Sequence, residues 1–245
     1  MQEKRLDILV CETLGVSREY AKEVISAGKC LIEGRVVTKP GAKFSSDCDI
    51  EINAEKLPYV SRGGVKLAHA IKKFDIELKG CHCIDVGAST GGFTDCMLQN
   101  GAEVVISLDN GHDQLAEKLR NSPQVISMEG INILAVDADQ LPFVPRFAAV
   151  DLSFISLVNV IPKVSQLLSP YGQVVFLLKP QFECGTSALS KKGVVRSLSA
   201  HVSAINRIVA GIIDCNMRVI DMDFSPITGQ NGNTEYLIFA QKGEI

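Results

Sequence analysis

The chain has 245 residues, a formal net charge of −3, eight Cys and no Trp, and 46% of it is hydrophobic, which suits one large core of Ile, Val, Leu and Ala plus a small appended domain. No apolar run approaches the roughly 18 to 20 residues that cross a bilayer, so a membrane role is not expected, and without a global excess of Lys and Arg any nucleic-acid surface must be local. The cysteines form no C-x-x-C pair and have no His spaced to complete a zinc site, no signal peptide opens the chain, and thiols without a framework point to a reducing cytoplasm.

Residues 7–14 and 18–26 read as two amphipathic helices. Ser17 caps the second, Ala21, Val24 and Ile25 share its inner face, and Ala27-Gly28 ends it. Two short strands follow within 29–37 around Glu33-Gly34, then Lys39-Pro40-Gly41 and a strand at 49–52. A helix ending in Gly before a strand pair that bears Gly34-Arg35-Val36 resembles the S-four-type RNA-binding domain of ribosomal proteins and pseudouridine synthases. That resemblance implies an RNA-facing surface containing Arg18, Lys22, Lys29, Arg35 and Lys39, with Arg62 added just beyond the domain. An ordinary solvated face accounts for the same charges, since acids and bases are about equal in number here.

A stretch without period and with Pro58 places a linker at 53–59, between an RNA-binding domain at 1–52 and a larger domain at 60–245. Residues 62–74 read as a helix with Leu67, Ala70, Ile71 and Phe74 in one apolar stripe and Lys66 off its centre. Strands at 83–86, 104–108, 125–128, 148–152 and 174–178 then alternate with helices at 93–100, 114–119, 157–168 and 200–214. Such alternation predicts an α/β fold with a mostly parallel sheet. Segments 218–224 and 235–241 flank a loop of Gly and Asn and read as a closing antiparallel hairpin, the shape of Rossmann-like methyltransferases.

The most informative segment is Ile84-Asp85-Val86-Gly87-Ala88-Ser89-Thr90-Gly91-Gly92-Phe93-Thr94, a strand entering a glycine-rich turn and a helix. Glycine permits positive φ and close approach of the backbone to a ligand. Ser89 interrupts G-x-G-x-x-G, which disfavours a dinucleotide. The spacing resembles the first motif of S-adenosylmethionine methyltransferases, with Asp85, Gly87, Ser89, Thr90, Gly91, Gly92 and Phe93 at the cofactor. Asp109, at the end of the next strand, can accept hydrogen bonds from ribose hydroxyls, and Asn132, Asp137 and Asp151 are further candidates. A tight strand-to-helix turn is the bland explanation of the same glycines.

Asp151 and Lys179 end apolar strands beside that turn, and Glu235 opens another. Charges in such places cost desolvation unless paired or functional. Ser61-Arg62-Gly63-Gly64 with Lys66, Asp151-Leu152-Ser153-Phe154-Ile155-Ser156, Lys179-Pro180-Gln181-Phe182-Glu183 and Gly232-Asn233-Thr234-Glu235-Tyr236 together resemble the TlyA family. That family, often labelled hemolysin A, joins an S-four-type domain to an FtsJ-like ribose methyltransferase. The resemblance implies S-adenosylmethionine as cofactor, ribosomal RNA or ribosomal subunits as partner, methylation of a cytidine 2′-hydroxyl, and Lys66, Asp151, Lys179 and Glu235 as the catalytic tetrad. Lys179 is the candidate base, with Lys66 as a second cation beside it, since a desolvated lysine near another cation sheds its proton more readily. Nearby carboxylates act in the opposite sense, and two structural salt bridges would use the same residue types. A non-catalytic assembly factor would need no such tetrad, and a cytolysin, as the family label suggests, would need a membrane-inserting segment. Lys191, Lys192 and the run Gly193-Val194-Val195-Arg196 are a candidate phosphate-holding loop.

Overall fold

The computed structural model describes residues 3–54 and 57–243, and of Glu19 and Gln230 the backbone alone. These residues divide into two units between Arg62 and Gly63. Of the stretch 53–59 expected as a linker, residues 55 and 56 lie outside those described.

The N-terminal unit runs β1 (Glu3–Arg5), α1 (Leu6–Leu14), α2 (Arg18–Ser26), β2 (Cys30–Ile32), β3 (Arg35–Val36), β4 (Lys43–Ser45) and β5 (Ile50–Ile52). Helix α1 stops where Gly15 turns left-handed at φ 65°, and α2 starts where the Ser17 hydroxyl accepts the Tyr20 N–H at 3.3 Å. Leu6, Val10, Ala21, Ile25, Cys30 and Ile32 close the core between the helices and the sheet β3-β2-β5. The β1-β4 pair was not expected, because three-residue strands leave no readable period.

The second unit contains α3 (Arg62–Lys73, all but its first residue), β6 (His82–Val86), α4 (Gly92–Gln99), β7 (Val104–Asp109), α5 (Glu117–Arg120) and β8 (Val125–Glu129). It continues with β9 (Phe147–Val150), α6 (Ile161–Leu167), β10 (Gln173–Leu178), α7 (Pro180–Glu183), α8 (Leu198–Asp214), β11 (Met217–Phe224) and β12 (Tyr236–Lys242). Seven strands form one sheet in the order β11-β12-β10-β9-β6-β7-β8. The strands β6 to β10 pair in parallel, whereas β12 is inserted antiparallel between β10 and β11. Strands β9 and β10 are buried along almost their whole length, as a sheet covered on both faces requires.

Three expected elements are trimmed for local reasons. The helix expected at 114–119 starts only at Glu117, because Glu129 Oε1 takes the N–H groups of Gln114 and Leu115 at 2.7 and 3.1 Å and holds them as loop. The helix expected at 157–168 breaks into a 3-10 turn, Leu157–Asn159, and α6, whose first turn contains Pro162; proline has no N–H to continue a preceding helix. The strand expected at 148–152 ends at Val150, which frees Asp151 to turn out of the sheet.

Sheet order reverses between β6 and β9, and ligands of open α/β sheets bind beyond the strand ends at that reversal. Register brings the functional segments to the same edge. Val86 and Phe176 both neighbour Val150, and Leu178 faces Tyr236. The residues just past those pairs are Gly87, Asp151, Lys179 and Glu235.

Candidate active site

The glycine turn is built on a buried acid. Asp85 is fully buried, and its Oδ2 accepts the Thr94 N–H at 2.8 Å and the Thr94 hydroxyl at 2.7 Å, tying the end of β6 to the first turn of α4. Its Oδ1 is buried with no hydrogen-bond partner. Burial pushes its carboxyl up to about 7, against the opposing Thr94 hydrogen bonds. Phe93 is also buried. Asp85 and Phe93, expected at the cofactor, are therefore placed to shape the turn from beneath.

Gly87 and Gly91 have φ of 88° and 90°, a region that favours glycine. A Cβ on Gly87 would strike the Asp151 carbonyl, and one on Gly91 would strike Leu119 and Leu115. Asp151 N donates to Val86 O at 2.9 Å, so the ends of β6 and β9 are pressed together at the sheet reversal. Ser89 is exposed; its N–H donates to Asp109 Oδ2 at 2.8 Å and its hydroxyl to Gln114 at 3.2 Å. Thr90 accepts the Ala116 N–H through its carbonyl, and Gly92 is buried at the start of α4.

Beside this turn lies a cavity of about 170 Å³ lined by Gly87, Leu108, Asp109, Asn132, Ile133 and Ser153, among others. Its donor set fits S-adenosylmethionine. Asp109 could accept hydrogen bonds from ribose hydroxyls, Leu108, Ile131, Ile133 and Ile155 could form apolar walls for adenine, and the side-chain-free backbone at Gly87 leaves room for the amino-acid tail. Asn132 lines the cavity while its Oδ1 caps the next turn at Leu134 N, whereas Asp137 caps a different turn and pairs with Lys163. A larger cavity, about 540 Å³ around Tyr171, Gly172 and Arg146, lies at the opposite strand ends and holds none of the chemistry above.

The four tetrad residues meet in two pairs. Lys66, from α3, places Nζ 2.5 Å from Glu235 Oε2, and both side chains are buried. Gly229 allows this, because a Cβ there would collide with the Glu235 carboxylate. Lys179 Nζ lies 2.5 Å from Asp151 Oδ1 and 3.0 Å from the Ser153 hydroxyl, which accepts from it. The Asp151 contact is an ion pair by distance only, since Oδ1 accepts no aligned hydrogen bond. Each lysine thus faces a carboxylate, an arrangement in which the two acids position the two lysines.

Three residues with no role assigned from the sequence support or flank these pairs. Glu183, 5% exposed, accepts the Ser156 hydroxyl at 2.6 Å and the Leu157 N–H at 2.8 Å and pairs with Arg207 at 3.1 Å. It fastens the turn that carries Asp151 and Ser153 to the segment that starts at Lys179. Phe154, in that turn, is 89% exposed with φ 66° and rests against Phe182 at 5.1 Å, an aromatic face offered to solvent beside Lys179. Asn233 is buried two residues before Glu235. All three lie inside the motifs that carry the family resemblance, but only three-dimensional contact gives them tasks.

In the N-terminal unit Arg18, Lys22, Lys29, Arg35 and Lys39 are exposed. Arg62 pairs with Glu23 at 2.8 Å. Arg18 shares the buried Asp7 with Arg5, at 3.1 and 3.0 Å, and the Arg5 hydrogen bonds, outweighing burial, hold the Asp7 carboxyl below its usual range. Arg5 was not expected in this set.

The model of the S4 domain matches residues 4–47, and that of the FtsJ-like methyltransferase matches residues 59–242. A Bacillus subtilis relative, YqxC, is 41% identical over 239 residues, covering 97% of this chain and 85% of its own. The Mycobacterium tuberculosis 16S/23S rRNA (cytidine-2′-O)-methyltransferase TlyA is 34% identical over 94% of this chain and 87% of its own. A solved chain from Streptococcus thermophilus that carries the hemolysin name superposes with a TM-score of 0.80 at 41% identity, covering 99% of this chain and 90% of that one. The chain belongs to the TlyA group of FtsJ-like, S-adenosylmethionine-dependent methyltransferases, in which an S4 domain precedes the methyltransferase fold.

Proposed function

We propose that the enzyme methylates the 2′-hydroxyl of a cytidine ribose in ribosomal RNA, working in the cytoplasm on rRNA or ribosomal subunits. Residues 1–52 act as the RNA-binding domain, 53–59 as the linker and 60–245 as the methyltransferase domain. The observation that carries this reading is the alignment of Gly87, Asp151, Lys179 and Glu235 along one sheet edge, with Lys66 held on Glu235 at 2.5 Å.

S-adenosylmethionine supplies an activated methyl group, so the protein's task is alignment of the attacking oxygen and removal of its proton. Gly87, Ser89, Thr90, Gly91, Asp109 and Asn132 hold the cofactor, with Asp85, Gly92 and Phe93 shaping the turn. Lys179 takes the 2′-hydroxyl proton on Nζ, while Asp151 and Ser153 hold that nitrogen in place. Lys66 and Glu235 form a rigid charged wall that orients the ribose. Arg18, Lys22, Lys29, Arg35, Lys39 and Arg62 contact RNA phosphates, which fix position without reading sequence.

The test is methyl transfer from labelled cofactor to unmethylated ribosomal subunits, followed by digestion to nucleosides. Label in 2′-O-methylcytidine is expected. Label on a base, or no label in rRNA, overturns the reading.

A further inference from the structure

We infer that the hairpin at residues 189–196 is a fixed cationic finger that grips the phosphodiester backbone of the substrate RNA beside the catalytic edge. This deepens the proposal above and rests on it for the RNA substrate. The segment lies between α7 and α8, where Leu189 bridges Val195, and Gly193, at φ 72°, closes a turn onto Ser190 at 2.8 Å. Lys191, Lys192 and Arg196 are exposed, and among the described residues none of the three takes part in a salt bridge.

Connecting loops are ordinarily mobile and lightly attached, but this one is bolted down by buried polar groups. Asn233 accepts the Val195 N–H on Oδ1 at 3.1 Å and donates from Nδ2 to Gly193 O at 3.0 Å. His201 Nε2 meets Val195 O at 3.1 Å, and the Tyr236 hydroxyl meets His201 Nδ1 at 2.9 Å. If Nε2 carries the proton, every contact in this chain is satisfied: Tyr236 donates to Nδ1, and Nε2–H donates to Val195 O. Asn233, His201, Tyr236 and Val195 are all buried, so these bonds act where unmet polar groups are costly.

The anchors are also the neighbours of the catalytic residues. Asn233 and Tyr236 flank Glu235 in sequence, and Tyr236 faces Leu178, the residue before Lys179. A hairpin that presents three unneutralised cations, and whose backbone is hydrogen-bonded to Asn233, two residues before Glu235, and to His201, itself tied to Tyr236, holds its charge at a set distance from the reacting ribose. A polyanion whose charges repeat along a chain is the ligand such an arrangement fits. A rigid mount gives it register at little entropic cost on binding.

The experiment uses the full chain, purified unmethylated ribosomal subunits as probe, and two variants: the triple substitution Lys191→Gln, Lys192→Gln, Arg196→Gln, and the single Asn233→Ala. For the triple variant we expect unchanged S-adenosylmethionine affinity and at least about a 10-fold weaker affinity for the subunits at moderate salt. The slope of log affinity against log salt should become shallower by about 0.7 to 0.9 for each phosphate that the finger no longer neutralises. Asn233→Ala keeps the cations but frees the hairpin, so KM for the subunits should rise while the cofactor affinity holds; should it fail to fold, the triple variant decides alone. A folded triple variant with wild-type affinity and salt slope overturns the finger while leaving the methyltransferase reading intact. A wild-type chain that neither binds nor methylates the subunits overturns both.

Discussion

Lys66 and Glu235 are 169 residues apart in the chain, yet their charged atoms meet at 2.5 Å, with side-chain exposures of only 10% and 2%. A pair this far from water is a poor source of net stability but a costly thing to break. Lys66→Ala should therefore destabilise the protein by about 3 to 5 kcal/mol, because it strands a buried carboxylate. The double variant Lys66→Ala, Glu235→Ala should lose clearly less than the sum of the two single losses in urea unfolding. Strictly additive losses would show that the two side chains do not depend on one another.

Gly87 is needed for two reasons that calorimetry and unfolding can separate. Its φ of 88° disfavours any side chain, and a Cβ would strike the Asp151 carbonyl and the Leu152 side chain. Gly87→Ala should cost about 1 kcal/mol or more from the backbone conformation alone. It should also lower cofactor affinity at least about 10-fold, by displacing the Asp151 turn as well as narrowing the approach to the ligand. Normal cofactor binding by a folded Gly87→Ala protein would contradict this account.

The contrast between these positions shows what a sequence can announce. The strand, glycine turn, helix and Asp109 were legible because each is local: a period, a spacing, a change of residue type. The seven-stranded sheet was legible in outline, although β12 lying between β10 and β11 had to be seen. Which lysine meets which acid was not legible. Lys66 and Glu235 are joined only by the packing of α3 against the sheet end, and no short-range pattern encodes that. The clamp by Glu183 was hidden for the same reason, since its partners Ser156, Leu157 and Arg207 lie on two other segments. The early stop of β9 at Val150, which turns Asp151 toward Lys179, follows from a backbone choice that apolar periodicity does not report.

Asp85 gives a pH signature. Burial raises its carboxyl from 3.8 to about 7, so between those values the folded protein binds a proton that the unfolded chain has lost. Its contribution is then fully present below the unfolded value, declines as pH rises through the window, and is flat above about 7. The slope from one such group is at most about 1.4 kcal/mol per pH unit. Asp85→Asn cannot titrate, so its stability relative to wild type should improve as pH rises from 3.8 to about 7 and then level off, whatever constant cost the buried amide adds. Parallel stability curves for the two proteins would place the carboxyl at its ordinary value instead.

Lys179 separates chemistry from stability better than Lys66 does. Its partner Asp151 keeps 21% of its side-chain surface in water although Oδ1 itself is buried against the lysine, so truncating Lys179 opens that oxygen to the solvent that already reaches the rest of the side chain. Lys179→Ala should accordingly unfold at nearly the wild-type urea midpoint, in contrast to Lys66→Ala, since the large penalty belongs to a charge stranded away from water. Cofactor affinity should change little, because Lys179 is absent from the lining of the cavity beside Gly87. Affinity for ribosomal subunits should also hold, as the proposed phosphate-binding residues lie elsewhere. Single-turnover methylation should nonetheless fall by about 10² to 10⁴, the usual effect of losing a general base. Lys179→Arg tests the chemistry further: it keeps the positive charge near Asp151 but carries a guanidinium that does not release its proton at working pH, so it should be about as slow as Lys179→Ala. If Lys179 only balanced the Asp151 charge, Lys179→Arg would restore the rate. A fast arginine variant would therefore move the proton transfer to another group and leave Lys179 as the partner that holds Asp151 in place.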